Sequence, residues 1–363
     1  MLEAKLSEII NANFKPSLAF VFASVEMDIA SVRAAFENYN LVVFGASSCG
    51  EIYFDGISEG IYEGSVTVSL VELKQEFFAS TLIDGAGLNS MELGKKVGNW
   101  GKSLFKSPAF LIAVSGLMAN GQEVVEGVLE TVGKNTIMFG GLAGDDAHFK
   151  ETFVFDQHSI IDNAAVAIAF DTDFIDIRGL ASSGWVSIGS DKIVTKAIGN
   201  KVFTIDNEPA LKVYKEYLNI KDDELPEIGV VYPLLVKKDK REVLRAVVGI
   251  DKDEQSLVFA GTVPQGSIVT FSTSPGFEVI DHTIKDIRLF FEDAGKVDLM
   301  LLFSCMARHR ALGPVIAEEI NEAMQITGLP VNGFFTYGEI GNNGPSCCDF
   351  YNETFTLALI TQK

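Results

Sequence analysis

Two stretches far apart in the chain, GASSCGEIYFDG at Gly45–Gly56 and GFFTYGEIGNNG at Gly333–Gly344, align without a gap as G-x4-G-E-I-x3-G. Glycine at fixed offsets marks backbone that needs positive φ or close approach, so the same tight turn is made twice. Such a repeat means either a duplicated folding unit with the same geometry in each copy or a pocket lined by both copies. From the residues alone both remain open.

The surrounding elements recur as well. An apolar run, a helical stretch, a strand ending in a Gly turn and a further strand appear as LAFVFAS, VEMDIASVRAAFENY, NLVVFGASSCGEI and SVTVSLVEL. They appear again as AFLIAVSG, NGQEVVEGVLETVG, NTIMFGGLAGDD and NAAVAIAF. The third time they read DLMLLFSC, GPVIAEEINEAMQITG, LPVNGFFTYGEI and NETFTLALI. Spacings of three and four place Ile29, Val32 and Phe36, then Val124, Val128 and Val132, then Ile316, Ile320 and Met324 on single helical faces. The short β-branched runs read as buried strands. Gly45, Gly140 and Gly333 are then expected at equivalent strand ends.

The expected class is α+β: repeated β-α-β-loop-β units forming layered, largely antiparallel or mixed sheets covered by helices. Between the second and third units, a hairpin and a helix beginning near Pro209 are expected, then strands IGVVYPLLV, EVLRAVVGI, SLVFAG and SIVTFSTS and the helix FEVIDHTIKDIRLFFEDA. Whether this stretch is a fourth, degenerate copy stays open. The natural division gives domains at 17–198 and 199–363.

Composition excludes several classes of function. A formal net charge of −20, from 49 acidic against 29 basic residues, repels a phosphate backbone, so nucleic acid is not an expected partner. The longest apolar run, VDLMLLFSCMA, is too short to span a bilayer, and the N-terminal stretch lacks the order of a signal peptide. No membrane insertion and a cytoplasmic location are expected. The cysteines Cys49, Cys305, Cys347 and Cys348 have neither metal-site spacing nor the density of a disulfide scaffold.

FGASSCGEIYFDG, FGGLAGDD, SSGWVSIGSDKIVTKAIGNKVFTIDNEPAL and FSCMARHRALG with the later LPVNGFFTYGEIG and NET resemble, in order, the signatures of FIST proteins, which carry an N-terminal and a C-terminal FIST domain. The resemblance spans nearly the whole chain. It implies an intracellular signal-transduction sensor for small ligands, with amino acids proposed, and it brings in relatives that resemble haem-based gas sensors working beside histidine kinases. Relatives fuse such domains to an output domain. Here the sequence stops at Lys363, so signalling is expected to pass through a separate partner, a histidine kinase or another signalling protein.

The candidate ligand residues follow from the turns. Gly45, Gly50 and Gly338 can present N–H groups to a carboxylate, while Glu51 or Glu339 accepts an ammonium; Cys49 and Tyr337 flank them. The competing reading is that each glutamate caps neighbouring N–H groups. Arg308, in the C-x-x-R element, offers a planar fork for a carboxylate, or pairs internally with Glu318 or Glu339. Asp145 is expected to stand in for the glutamate in the second unit. Asp145, Asp146 and His148 make an incomplete metal set, and no metal is expected. No cofactor is expected either. Non-covalent haem on His148, His158, His282 or His309 is the alternative, since CxxCH is absent. Cys49 and Cys305 lack a readable base and oxyanion site, so the expectation is not an enzyme, with a cysteine or metal enzyme the rival. Trp185 either closes a pocket or packs in the core.

Overall fold

A computed structural model describes every residue except 1, 12, 56–58, 222, 223, 226, 239, 240 and 345–347. Gly56, which ends the first turn motif, and Cys347 lie outside the described residues. Unit 1 contains α1 (Leu2–Ile9), β1 (Leu18–Ala23), α2 (Ile29–Ala34), β2 (Val42–Ser47), β3 (Glu51–Phe54), β4 (Glu59–Tyr62) and β5 (Val66–Val71). Unit 2 contains β6 (Phe78–Asp84), α3 (Ser90–Leu104), β7 (Pro108–Val114), α4 (Gly121–Val132), β8 (Met138–Leu142), β9 (Val154–Phe155), β10 (Ile160–Ile161) and β11 (Ala164–Asp171).

Unit 3 opens with β12 (Ile175–Ser182) and is then interrupted. The insertion carries β13 (Val186–Ile198), β14 (Lys201–Ile205), β15 (Glu208–Pro209), α5 (Ala210–Leu218), α6 (Glu227–Val231), β16 (Leu234–Lys238), β17 (Arg241–Arg245), β18 (Val247–Asp251), β19 (Ser256–Phe259) and β20 (Ile268–Thr273). The unit resumes with α7 (Glu278–Glu292), β21 (Leu299–Cys305), α8 (Met306–Leu312), α9 (Ile316–Thr327), β22 (Val331–Thr336), β23 (Glu339–Asn342), β24 (Cys348–Tyr351) and β25 (Phe355–Gln362).

The helices form where caps and apolar spacing agree. The Asn120 side chain accepts from the N–H groups of Gln122 and Glu123 to start α4, whose Val124, Val125 and Val128 are buried, and Gly133 ends it. In α3 a capping box joins Asn89 and Glu92. β1, β7 and nearly all of β21 are buried, because helices cover one face of each sheet and the other faces meet in a shared core. Phe20, Phe22 and Phe44 of unit 1, Leu111 and Phe139 of unit 2, and Phe303 and Phe334 of unit 3 build that core.

Within each unit two central strands run parallel across a helix: β1 with β2, β7 with β8, β21 with β22. The last strand returns antiparallel beside the first. The hairpin between them leaves its own unit. β3 pairs with β22 of unit 3, β23 pairs with β8 of unit 2, and β9 pairs with β2 of unit 1. Each unit thus gives a hairpin to one neighbour and receives one from the other, which closes a ring of three. In every case the received strand meets the same glycine: Gly45 lies opposite Phe155, Gly140 opposite Ile340 and Gly333 opposite Ile52. The three glycines are equivalent, as their spacing suggests, but they sit within the paired strands.

The α+β class holds, with mixed and antiparallel sheets under helices. The insertion is an eight-stranded sheet, in order β17-β16-β20-β13-β14-β19-β18 with β15 on β14, and its pairings are antiparallel. With no parallel β-α-β unit among its described residues, it is not a fourth copy. The expected hairpin and the helix after Pro209 are present as β13, β14 and α5. IGVVYPLLV does not form one strand: it divides into α6 and β16 around Pro233, which cannot supply a ladder N–H. The MARHRAL stretch, to which the sequence assigns no element, is helix α8. Residues 198 and 199 fall at the turn of the β13–β14 hairpin, where Ile198 pairs with Lys201.

Candidate functional site

The two Gly-Glu turns are built alike. Gly50 and Gly338 have φ of 117° and 152°, a region that side-chain-bearing residues rarely adopt, and each turns the chain out of its sheet into the donated hairpin. Glu51 then accepts the Ser48 hydroxyl on one carboxylate oxygen, and the Ser65 hydroxyl with its N–H at 3.2 Å on the other. Glu339 repeats this with the Thr336 hydroxyl at 2.6 Å, and with the Thr354 hydroxyl at 2.5 Å and N–H at 3.3 Å. In both copies the carboxylate ties the strand leaving the sheet to the strand coming back. Both glutamates are fully buried, and burial pushes their pKa values up, to about 7 for Glu51 and about 8 for Glu339.

Unit 2 solves the same problem differently. Val154 of β9 occupies the hairpin position of Glu51 and Glu339, one residue from the partner of the conserved-geometry glycine. Asp145 therefore does not replace the glutamate in its strand. It organises the longer β8–β9 loop, accepting the N–H groups of Phe149 at 3.0 Å, Lys150 at 2.6 Å and Glu151 at 3.1 Å. The Tyr337 hydroxyl, from unit 3, also donates to Asp145, and its ring stacks on Phe149 at 5.0 Å. Asp146 accepts the Ser24 hydroxyl at 2.8 Å and the Val25 N–H at 3.0 Å.

Cys49 of unit 1 lies in this group. A Cβ on Gly144 would stand 2.4 Å from its sulfur, and burial pushes the thiol up to about 12. Cys49, Asp145 and Tyr337 thus come together where the three turns meet. Among the described residues no group of three or more His, Cys, Asp and Glu side chains is arranged to hold a metal ion.

A second group lies beside Glu339. Arg308, on α8, is fully buried and forks onto Glu319 of α9, with Nε at 3.0 Å and Nη2 at 2.6 Å from its two oxygens. Nη2 also donates to the Thr283 hydroxyl at 2.8 Å, and Nη1 to the carbonyls of Ser183 and, at 3.4 Å, Glu353. Its guanidinium lies 5.3 Å from the centre of the Trp185 ring. The fork expected for a ligand carboxylate is therefore filled internally, by Glu319 and not by Glu318 or Glu339. Trp185 is a packing residue: it clusters with Leu244 and Val279, and its indole N–H donates to the Val231 carbonyl at 3.5 Å.

Glu353 completes the group and was not singled out from the sequence. It is fully buried with φ of 57°, and neither carboxylate oxygen has a hydrogen-bond partner among the described residues. Burial, with the Glu339 carboxylate adding to it and Arg308 opposing it, holds its pKa well above the usual range. Burial does the same to the Cys305 thiol, with both glutamates adding. An acid in YNET, directly before the apolar run FTLALI, was the available signal. Of the haem candidates, His309 stacks on Phe335 at 4.3 Å, and His282 faces Asp286 at 3.4 Å.

Models of the FIST N domain and the FIST C domain match residues 17–208 and 210–342. The chain belongs to the FIST family. FIST domains are considered signal-transduction sensor domains that bind small ligands. A comparison with curated proteins returned no match. The FIST N and FIST C segments are interleaved in space, since β3 of the first pairs with β22 of the second and β23 of the second with β8 of the first. No helix among the described residues is long and apolar enough to cross a membrane.

Proposed function

We propose that this FIST protein senses a small amine-bearing ligand, an amino acid or similar zwitterion, whose ammonium group is accepted by Glu353. The observation that carries this is Glu353 itself: a buried carboxylate with two unspent oxygens. A buried, unpaired acceptor costs several kcal/mol, and a cation that donates to it removes that cost. Glu51 and Arg308 do not serve the ligand in this proposal, because their polar atoms are engaged within the fold. The acid end of a zwitterion must then be met by groups other than Arg308.

The protein acts as a cytoplasmic sensor without a cofactor and without turnover, passing its signal to a separate protein such as a histidine kinase. Both Cys49 and Cys305 favour the thiol over the nucleophilic thiolate, which argues against a cysteine enzyme. Thermal shift against amino acids, simple amines and simple carboxylic acids tests the ligand class. Ligand at a hundredfold above Kd adds about 2.7 kcal/mol of stability. Amines and amino acids are expected to raise the midpoint, carboxylic acids to leave it, and Glu353→Gln to abolish the response. A panel without effect, or a response that survives Glu353→Gln, refutes the assignment. A Soret band in the purified protein would replace it with the haem reading.

A further inference from the structure

The three sheets of the ring are built alike except at one edge. In unit 2 the returning strand β11 is flanked by β6, and in unit 3 the returning strand β25 is flanked by β12, both antiparallel. Among the described residues, the equivalent strand β5 of unit 1 pairs with β1 alone, and its sheet has five strands where the others have six. The outer edge of β5 opens on a groove of about 1470 Å³. Leu2, Ile9, Phe14, Leu299 and Pro330 give it accessible apolar surface over a floor of buried core residues. A six-residue strand such as β5 spans roughly 20 Å and leaves a row of backbone donors and acceptors along an open edge.

We propose that this groove takes an extended segment of a separate signalling protein, which adds antiparallel to β5 as the missing sixth strand. Main-chain pairing would give the affinity and the apolar surface the register. Charge selects the occupant. The ionic residues of the groove are Lys5, Lys296 and Lys363 against Glu72 and Asp298, and Asp298 is tied to Lys296 at 2.7 Å. That leaves Lys5 and Lys363 against Glu72, a slight basic excess on a chain of net charge −20. A second copy would present the same basic excess, so complementarity favours a partner strand with acidic flanks. The sister strand β6 has this character, since Glu76 precedes it and Asp84 ends it. The site is separate from Glu353, so its test stands or falls independently of the ligand proposal.

The probe is a peptide of the chain's own residues 75–84, QEFFASTLID, added to the full-length protein. Amide hydrogen exchange at residues 66–71 is expected to slow with 1:1 stoichiometry. Lys5→Glu with Lys363→Glu, both exposed, is expected to weaken binding about tenfold, with a steep salt dependence. Unchanged exchange at β5 under millimolar peptide overturns the proposal. So does equal protection by a scrambled peptide, or a peptide-free dimer in which β5 is already protected, which would make a second copy the occupant.

Discussion

Replacing Arg308 by Lys separates a structural arginine from a ligand-binding one. The guanidinium makes two bonds to Glu319, one to Thr283 and two to the carbonyls of Ser183 and Glu353, all without solvent exposure. A lysine keeps the charge and can hold Glu319, but its three donors cannot reproduce a planar fork serving five contacts. Losing two bonds to a charged donor, each worth about 1.5–3 kcal/mol, and recovering part through relaxation, should cost about 3 kcal/mol of stability. Arg308→Met leaves Glu319 buried and unpaired and should cost about 3–5 kcal/mol. Adding Glu319→Leu to Arg308→Met should restore much of the loss, because the uncompensated charge is gone, though the two carbonyls and Thr283 stay without their donor. Urea unfolding followed by circular dichroism, with slopes compared among variants, measures all three. An Arg308→Lys protein within about 0.5 kcal/mol of the parent refutes the account, and loss of ligand affinity without loss of stability would place Arg308 on a ligand after all.

Two further outcomes test the turns. Glu339 has its pKa raised by burial from 4.5 to about 8, so between those values the folded protein holds a proton the unfolded chain has released. Its stabilising contribution is complete below about pH 4.5 and is lost as pH rises towards 8, at a slope of about 1.4 kcal/mol per pH unit. Subtracting the Glu339→Gln stability curve from that of the parent between pH 5 and 9 should show this decline, and a flat difference contradicts it. At Gly333 an added Cβ would lie 1.9 Å from the Leu302 carbonyl oxygen, so Gly333→Ala should cost roughly 3 kcal/mol. Gly249→Ala, where the nearest atom is 3.5 Å away, should stay within about 1 kcal/mol; equal effects of the two on the thermal midpoint would disprove the steric explanation.

The repeat was legible because its causes are local. Gly50-Glu51 and Gly338-Glu339 recur since each turn needs a positive φ followed by a carboxylate able to reach a hydroxyl three residues back. The spacing of Val124 and Val128, or of Ile316 and Ile320, marks the helix face that meets the sheet. The exchange of hairpins was not legible: Ile52 opposite Gly333 is a pairing between distant segments, and an alternating strand carries the same pattern whichever sheet receives it. Helix α8 was missed because its seven residues carry two arginines and a histidine before Gly313, too short a span for periodicity to show. Arg308 could be a ligand clamp or half of an internal pair in the sequence, because an arginine at a strand end offers the same fork to any carboxylate, and only folding brings Glu319 to it. Asp145 was placed in the wrong role because an alignment by offset does not reveal that the unit 2 loop is longer.

The exchange also gives the glutamate clamps their physical importance. A hairpin that pairs with its own sheet is held by its neighbours in sequence, but here β23 and β24 are held by unit 2 while β22 and β25 belong to unit 3. The chain must therefore cross from one sheet to another twice at the base of each hairpin, and these crossings lie in the interior, where unsatisfied polar groups are costly. In units 1 and 3 one carboxylate spans both crossings, at Ser48 and Ser65 and at Thr336 and Thr354. In unit 3 the residue before Thr354 is Glu353, whose carbonyl accepts Arg308 and whose carboxylate is unspent. A cation drawn to Glu353 would thus act beside the joint that holds the unit 3 hairpin in the unit 2 sheet. The ring would couple that joint to the other two sheets, because no hairpin can leave its place without opening a neighbour's edge.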